Sequence, residues 1–274
     1  MQNSDMPDGQ LLDRLSLIAS RAAAAILAIR DPQLTRRDKA DRSPVTTADE
    51  AAEAVILAGL AALMPEVAVI SEEAAGRGAT VTPGERFFLV DPLDGTREFL
   101  AGLDEYTVNI ALVDRHVPIV GVIAAPARGL MWRGAAGRGA ERLTLAPGDP
   151  PQAARERLAI HGRTRPSGAL RVLLSRSHLD RATENYVARI AQAEQVRCGS
   201  SLKFCTLAEG AADLYPRFGP VSQWDIAAGH ALLTAAGGAI TTADGGPLRY
   251  GESASMVVPG FIAWGDGAAA SVGP

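Results

Sequence analysis

One segment of the sequence concentrates oxygen donors: Asp91-Pro92-Leu93-Asp94-Gly95-Thr96-Arg97-Glu98-Phe99. The apolar run Phe87 to Val90 precedes it and reads as a strand that delivers Asp91 to its end. Pro92 has a fixed φ and no N–H, so the chain turns there. Asp94 then folds back beside Asp91, with the Leu93 carbonyl pointing the same way. Two carboxylates and a carbonyl are hard donors, the kind magnesium takes at about 2.0–2.1 Å. Gly95 lets a ligand approach the backbone closely. A helix or turn starting at Gly95-Thr96 would aim free N–H groups at a phosphate. A lone Asp-Gly pair is ordinarily just a turn. Three oxygen donors at one strand end are harder to read that way.

Other acids fall at comparable places. Val67 to Ile70 is a second apolar run, and it leads into Ser71-Glu72-Glu73. If that strand neighbours Phe87 to Val90, Glu72 and Asp91 emerge at the same edge. Glu73 is expected to be a solvated surface acid. Asp225 follows Trp224 and opens a helical stretch, so by itself it reads as an N-cap. A cap whose second oxygen faces a metal would serve both roles. His116, His161 and His230 read as structural or solvent-facing, and Trp224 as core packing.

The elements that must position these residues are legible in outline. Leu11 to Ile29 has helical spacing and ends at Asp31-Pro32. A polar run, Arg36 to Asp41, leads to a second helix from about Thr47 to Leu63. Thr107 to Val113 and Pro118 to Ala124 read as a hairpin around Asp114-Arg115-His116. Arg171 to Leu174 is a short strand. Asp180 to Gln195, Ser201 to Gly210 and Asp225 to Ala236 read as helices, the last closed by Gly237-Gly238. Strands near Gly238 to Thr242 and Met256 to Trp264 flank the turn Asp244-Gly245-Gly246. Helices and strands without strict βαβ alternation point to α+β layers, not a dinucleotide-binding sheet.

The 274 residues suffice for one large unit, and one is expected over 1–274. It divides into an N-terminal half, 11–150, with most of the acids, and a C-terminal half, 160–268, with Asp225. Pro147 to Pro166, rich in proline and arginine, is the expected junction. A net charge of −4 speaks against long nucleic acid as a partner and leaves room for a small anion in a local cationic pocket. Cys198 and Cys205 form no CxxC pair, so zinc is not expected and both read as reduced thiols. Met1 to Gln10 is too polar for a signal peptide. No apolar run reaches the roughly 18 residues that span a bilayer. The expected location is the cytoplasm, with room for peripheral attachment at the inner face of the plasma membrane. The expected oligomeric state is monomer or homodimer.

Taken together, Asp91 to Phe99 and Trp224-Asp225-Ile226-Ala227-Ala228-Gly229 resemble the signatures of the inositol monophosphatase superfamily, lithium-sensitive magnesium phosphatases. Ser43 to Asp49, Gly199 to Cys205 and Leu214 to Pro220 resemble its CysQ-type 3'(2'),5'-bisphosphate nucleotidases, and the similarity runs from about Leu11 to Trp264. The resemblance implies a layered α-β-α-β-α sandwich of the inositol monophosphatase/fructose-1,6-bisphosphatase type. It implies hydrolysis of 3'-phosphoadenosine 5'-phosphate to AMP and phosphate, in sulfur assimilation. Glu72, Asp91, the Leu93 carbonyl, Asp94 and Asp225 match the ligands of two or three magnesium ions. Glu72, Thr96 and Asp49 match the groups that orient and deprotonate the attacking water. Gly95 and Thr96 match donors to the phosphate. His178, Ser200, Lys203, Arg217 and Asp225 fall where the nucleotidases contact substrate. Lys203, one of only two lysines, and Arg217 suit a second phosphate, since Arg makes bidentate contacts. Without that context Lys203 reads as a surface salt bridge and His178 as a capping residue. Arg97 stands where many such sequences have lysine, which keeps the charge. The alternatives are an inositol monophosphatase or related sugar phosphatase, and a metal-binding regulatory protein without turnover.

Overall fold

The computed structural model describes residues 8–29, 37–38, 44–253 and 255–271. The Asp31-Pro32 stop, most of the run Arg36 to Asp41, Ser43 and most of Met1 to Gln10 lie outside them. Helix α1 (Asp8–Ile29) buries Leu15, Ile18, Ala22 and Ile26 along one face. Strand β1 (Arg37–Asp38) pairs antiparallel with β2 (Pro44–Val45), and α2 (Thr47–Leu63) follows. A reciprocal cap starts α2: Thr46 accepts from the Ala48 N–H, and Asp49 reaches back to the Thr46 N–H.

A seven-stranded sheet comes next, in sequence order. It holds β3 (Ala68–Ser71), β4 (Arg86–Asp94), β5 (Thr107–Asp114), β6 (Val117–Ala125), β7 (Leu130–Ala135), β8 (Gly139–Thr144) and β9 (Glu156–Ile160). Short helices α3 (Glu72–Gly76) and α4 (Thr96–Leu100) follow β3 and β4. The expected hairpin joins β5 to β6. Its two loop residues, Arg115 and His116, have φ of 47° and 67°, the left-handed values a two-residue turn needs. Strand β9 falls inside the stretch read as a junction, so the link to the next sheet runs from Ile160 to Leu170.

The second half contains β10 (Leu170–Ser175), α5 (Arg181–Val187), β11 (Ala193–Cys198), α6 (Leu202–Ala208), β12 (Leu214–Arg217), β13 (Val221–Ser222), α7 (Gln223–Ala235), β14 (Ala239–Thr242), β15 (Val257–Val258) and β16 (Phe261–Trp264). Five strands form a sheet in the order β11-β10-β12-β16-β14. The expected helix from Asp180 to Gln195 stops at Val187, and β11 takes over at Ala193. Its Ala, Glu, Gln and Arg residues favour helix by propensity. Pairing with β10 over six residues overrides that preference.

Alternation along the strands separates three cores. Phe88, Val90, Ile110 and Leu112 pack against α1 and α2. Their neighbours Phe87, Leu89, Ala111 and Val113 join α6 and α7, together with Leu173, Tyr215 and Ala263 of the smaller sheet. Val172, Leu174, Leu214 and Ile262 face the other way, toward Val187 of α5. The layers are therefore α, β, α, β, α, as expected.

Candidate active site

Parallel pairing brings the first two acids together. Ser71 lies opposite Val90, so Glu72 and Asp91 leave adjacent strands at the same end. Asp94 needs a further device, because residues three apart on a regular strand face opposite ways. Between Asp91 and Asp94, β4 takes three steps while β5 takes two, from Asn109 to Thr107. This bulge restores a common face to the two acids. The Leu93 N–H donates to Asp91 Oδ1 at 3.0 Å and closes the turn. Gly95 follows with φ of 93°, and a Cβ there would meet the Glu105 carbonyl at 2.9 Å, which explains the glycine.

Asp225 arrives from the other half. It is not the N-cap of α7; Ser222 holds that place and Asp225 is the third helical residue. From there its carboxylate faces the cavity, with the Ser222 N–H favouring its ionised form. Carboxylate oxygens of Glu72, Asp91 and Asp225 lie within 4.8 Å of one another. Asp94 lines the same cavity but is held back by one oxygen, which accepts from the Ser201 N–H at 2.6 Å and the Ser201 hydroxyl at 2.8 Å.

Burial pushes the Asp91 carboxyl well up, and Glu72, Asp94 and Asp225 push it further. Asp225 is raised in the same way, by burial and then by Asp94 and Glu72, with Arg217 pulling back. Acids so arranged favour a cation among them. Their all-oxygen donor set fits magnesium.

The cavity of about 210 Å³ is lined by every expected site residue except Asp49. Asp49 stands behind Thr96, whose hydroxyl lies 3.1 Å from both Asp49 Oδ1 and the Leu93 carbonyl. Burial raises the Asp49 carboxyl, against bonds from Thr46 and Thr96 that lower it. His178 and Arg217 line the same cavity, and burial, then Arg217 and Arg97, lower the His178 pKa. Arg217 donates to the Pro220 carbonyl at 3.0 Å, while its buried Nε has no partner. Lys203 is buried, not a surface ion pair. Its Nζ donates to the Ser200 and Cys198 carbonyls at 2.7 and 3.2 Å and lies 5.1 Å from the centre of the Tyr215 ring.

Glu73, expected at the surface, is 4% exposed, because α3 is wedged against α2, β3 and β4. Trp224 packs on the central core but also lines the cavity. Sequence reasoning passed over Glu53, which accepts from the Ala74 N–H at 3.0 Å and from the Ser71 hydroxyl and so fixes the turn carrying Glu72. It also passed over Ser201 and Asn109. Asn109 donates to Ser201 at 2.9 Å, and the signal was a pair of polar residues, Thr107 and Asn109, in an otherwise apolar strand.

A family model described as the inositol monophosphatase family matches residues 10–271. The chain belongs to the inositol monophosphatase family. Within that family it is 40% identical to the 3'(2'),5'-bisphosphate nucleotidase CysQ of Escherichia coli K12, over 92% of this chain and 98% of that one. It is 35% identical to the enzyme of the same name from Buchnera aphidicola, over 93% of each. Among solved structures, CysQ from Bacteroides thetaiotaomicron superposes with a TM-score of 0.76 at 35% identity, over 93% of this chain and 97% of that one. An inositol monophosphatase from Zymomonas mobilis gives 0.75 at 27% identity, over 97% of each.

Proposed function

We propose that this chain is a magnesium-dependent phosphomonoesterase that hydrolyses 3'-phosphoadenosine 5'-phosphate to AMP and phosphate. One observation carries the reading: a cluster made wholly of acids, with Asp91 buried and Glu72 and Asp225 half-buried, shares a cavity with the half-buried Arg217, whose own buried Nε has no partner. The acids suit cations beside the scissile phosphate, and the arginine suits a second phosphate. The names of the most similar relatives support the same substrate.

A bound divalent ion would supply positive charge to the ester and acidify water. Glu72, Asp91, Asp225, the Leu93 carbonyl and one oxygen of Asp94 would hold two or three such ions. Thr96, between Asp49 and the Leu93 carbonyl, would fix the attacking water, with Glu72 and Asp49 as proton acceptors. The backbone N–H groups of Gly95 and Thr96 would meet the phosphate. His178, Ser200 and Arg217 would hold the nucleotide. Lys203 would contribute charge and support the Ser200 turn from beneath. The protein would work in the cytoplasm; among the described residues no helix is long and apolar enough to cross a membrane.

The deciding experiment compares kcat/KM for the bisphosphate, 3'-AMP and inositol 1-phosphate. A preference for the bisphosphate is expected. A preference for inositol 1-phosphate would replace this reading with a sugar phosphatase. A charged hydrogen bond contributes about 1.5–3 kcal/mol, so Arg217→Ala should raise KM for the bisphosphate about tenfold or more and spare the monophosphates.

A further inference from the structure

Glu105 lies in the loop between α4 and β5, and Arg176 directly follows β10 of the other sheet. The Arg176 Nε and Nη2 donate to the two Glu105 oxygens at 2.7 and 2.8 Å, a bidentate pair. The same Glu105 Oε2 accepts the Gly199 N–H at 2.8 Å. The Arg176 N–H donates to the Cys198 carbonyl at 3.3 Å, so the pair grips one turn from two sides. At Gly199 a Cβ would lie 2.9 Å from Glu105 Oε2 and 3.0 Å from Glu105 Cβ. A side chain there would push Glu105 aside.

Ser200 comes next, with φ of 46°, a conformation that non-glycine residues adopt only when their surroundings impose it. Lys203 Nζ holds its carbonyl at 2.7 Å, and its hydroxyl lies 3.1 Å from that of Thr107. This bend delivers the Ser201 N–H to Asp94 and sets the Ser201 hydroxyl 2.8 Å from the Asp225 carbonyl. Ser200 itself lines the cavity. A turn from one half is thus fixed by a carboxylate from the other, and on it depend an acid of the cluster and a cavity wall.

We propose that Glu105 is a positioning residue: through Gly199 it holds the Ser200-Ser201 turn in register with Asp94, and so sets the affinity of the cavity for both magnesium and nucleotide. The metal half of the statement rests on the reading of Asp94 given above. Arg176 keeps the Glu105 carboxyl below its usual range, so the clamp stays ionised through neutral pH.

The test uses the full chain and three variants. Glu105→Gln keeps an oxygen for Gly199 but loses the charge toward Arg176. Glu105→Ala loses both. Gly199→Ala attacks the contact from the other side. Calorimetry gives dissociation constants for Mg2+ and for AMP, and thermal melting reports folding. Glu105→Ala and Gly199→Ala should weaken both constants about tenfold, with Glu105→Gln weaker in effect and all three still melting cooperatively. Wild-type constants in folded Glu105→Ala overturn the proposal. Wild-type constants in Gly199→Ala alone overturn the route through Gly199. If Glu105→Ala does not fold, the other two variants decide. Asp94→Asn runs alongside. If it leaves Mg2+ binding unchanged, the reading of Asp94 fails and the AMP constant decides the role of Glu105. If wild type binds no AMP, the nucleotide reading fails and the Mg2+ constant decides.

Discussion

Arg133 and Asp91 are charged residues on the same seven-stranded sheet, 3% and 1% exposed. Arg133 sits on β7 among opposite charges. It donates to Asp13 of α1 at 2.6 Å, to Ser16 at 3.1 Å and to Glu141 of β8 at 2.8 Å. Every partner it needs is in the fold, and the cluster fastens α1 to the sheet. Asp91 sits among like charges, with Glu72, Asp94 and Asp225 all raising its pKa. The first arrangement is complete within the chain. The second is stable only with protons or with a cation brought from outside. Burial of charge is common to both, so burial alone says nothing of function; the balance of sign does.

The sharpest way to break this contrast is Asp91→Asn. It should cut kcat/KM for phosphate release at least a thousandfold, about 4 kcal/mol in the barrier, while the melting temperature without added magnesium stays level or rises. Asp94→Asn should nearly abolish turnover too, without unfolding. Near wild-type rates at saturating magnesium would remove the site. Arg133→Leu should do the reverse. It removes the partner shared by Asp13 and Glu141, which keep Gln152 and Arg157, and should cost about 2 kcal/mol of stability in denaturant melts, with the magnesium dissociation constant unchanged.

Acidity sharpens the contrast further. Asp91 and Asp225 have folded pKa values above the ordinary carboxylate range. At these two positions the folded chain holds more protons than the unfolded one, and the stability they contribute is lost as pH rises through the folded values. The stability gained from a fixed magnesium concentration should grow from pH 5 to pH 8, reaching about 2.7 kcal/mol where that concentration is a hundredfold above the dissociation constant. In Asp91→Asn that growth should shrink, and in Arg133→Leu it should persist. A gain independent of pH would count against the cluster as the metal site. The smallest effect expected is from lithium, a cation small enough for a magnesium position but with half the charge. Phosphate release should fall severalfold in lithium chloride and not in equal potassium chloride. Equal responses would indicate ionic strength alone.

The sequence carries this site well where chemistry and local geometry coincide. Asp91, Pro92 and Asp94 lie within four residues, and the strand before them is plainly apolar. Parallel pairing of β3 with β4 was only conditional in the sequence, and it is the structure that makes Glu72 and Asp91 neighbours. Other features depend on distant partners and leave little local trace. Strand β11 is a polar edge strand whose composition favours helix, and only β10 beside it decides otherwise. Strands β7 and β8 carry glycines and arginines that hide their alternation, and β9 is exposed along most of its length. Glu73 is buried by the packing of α3, and Lys203 is drawn inward by carbonyls of its own turn. Ser201 and Glu105 act on an acid and a turn many residues away, so nothing near them in the chain announces their role, whereas Asn109 shows as a polar residue within an apolar strand.

The bulge in β4 bears on which kinds of genetic change the site tolerates. Val90 and Leu93 both enter the α1–α2 core, and Asp91 and Asp94 both turn toward the cavity, because one additional residue is spent between the pairs. Straightening the strand without shortening it would swing Leu93 out of its core and Asp94 into it, with no change in any side chain's chemistry. In a library covering this segment, deleting Pro92 should keep Asp91 and Asp94 on one face but abolish the turn closed by the Leu93 N–H, so the turnover it loses measures that turn and not the alternation. Conservative exchanges at Leu93, such as isoleucine or methionine, should pass. The path of the backbone is as much a ligand-placing instruction here as the identity of its residues.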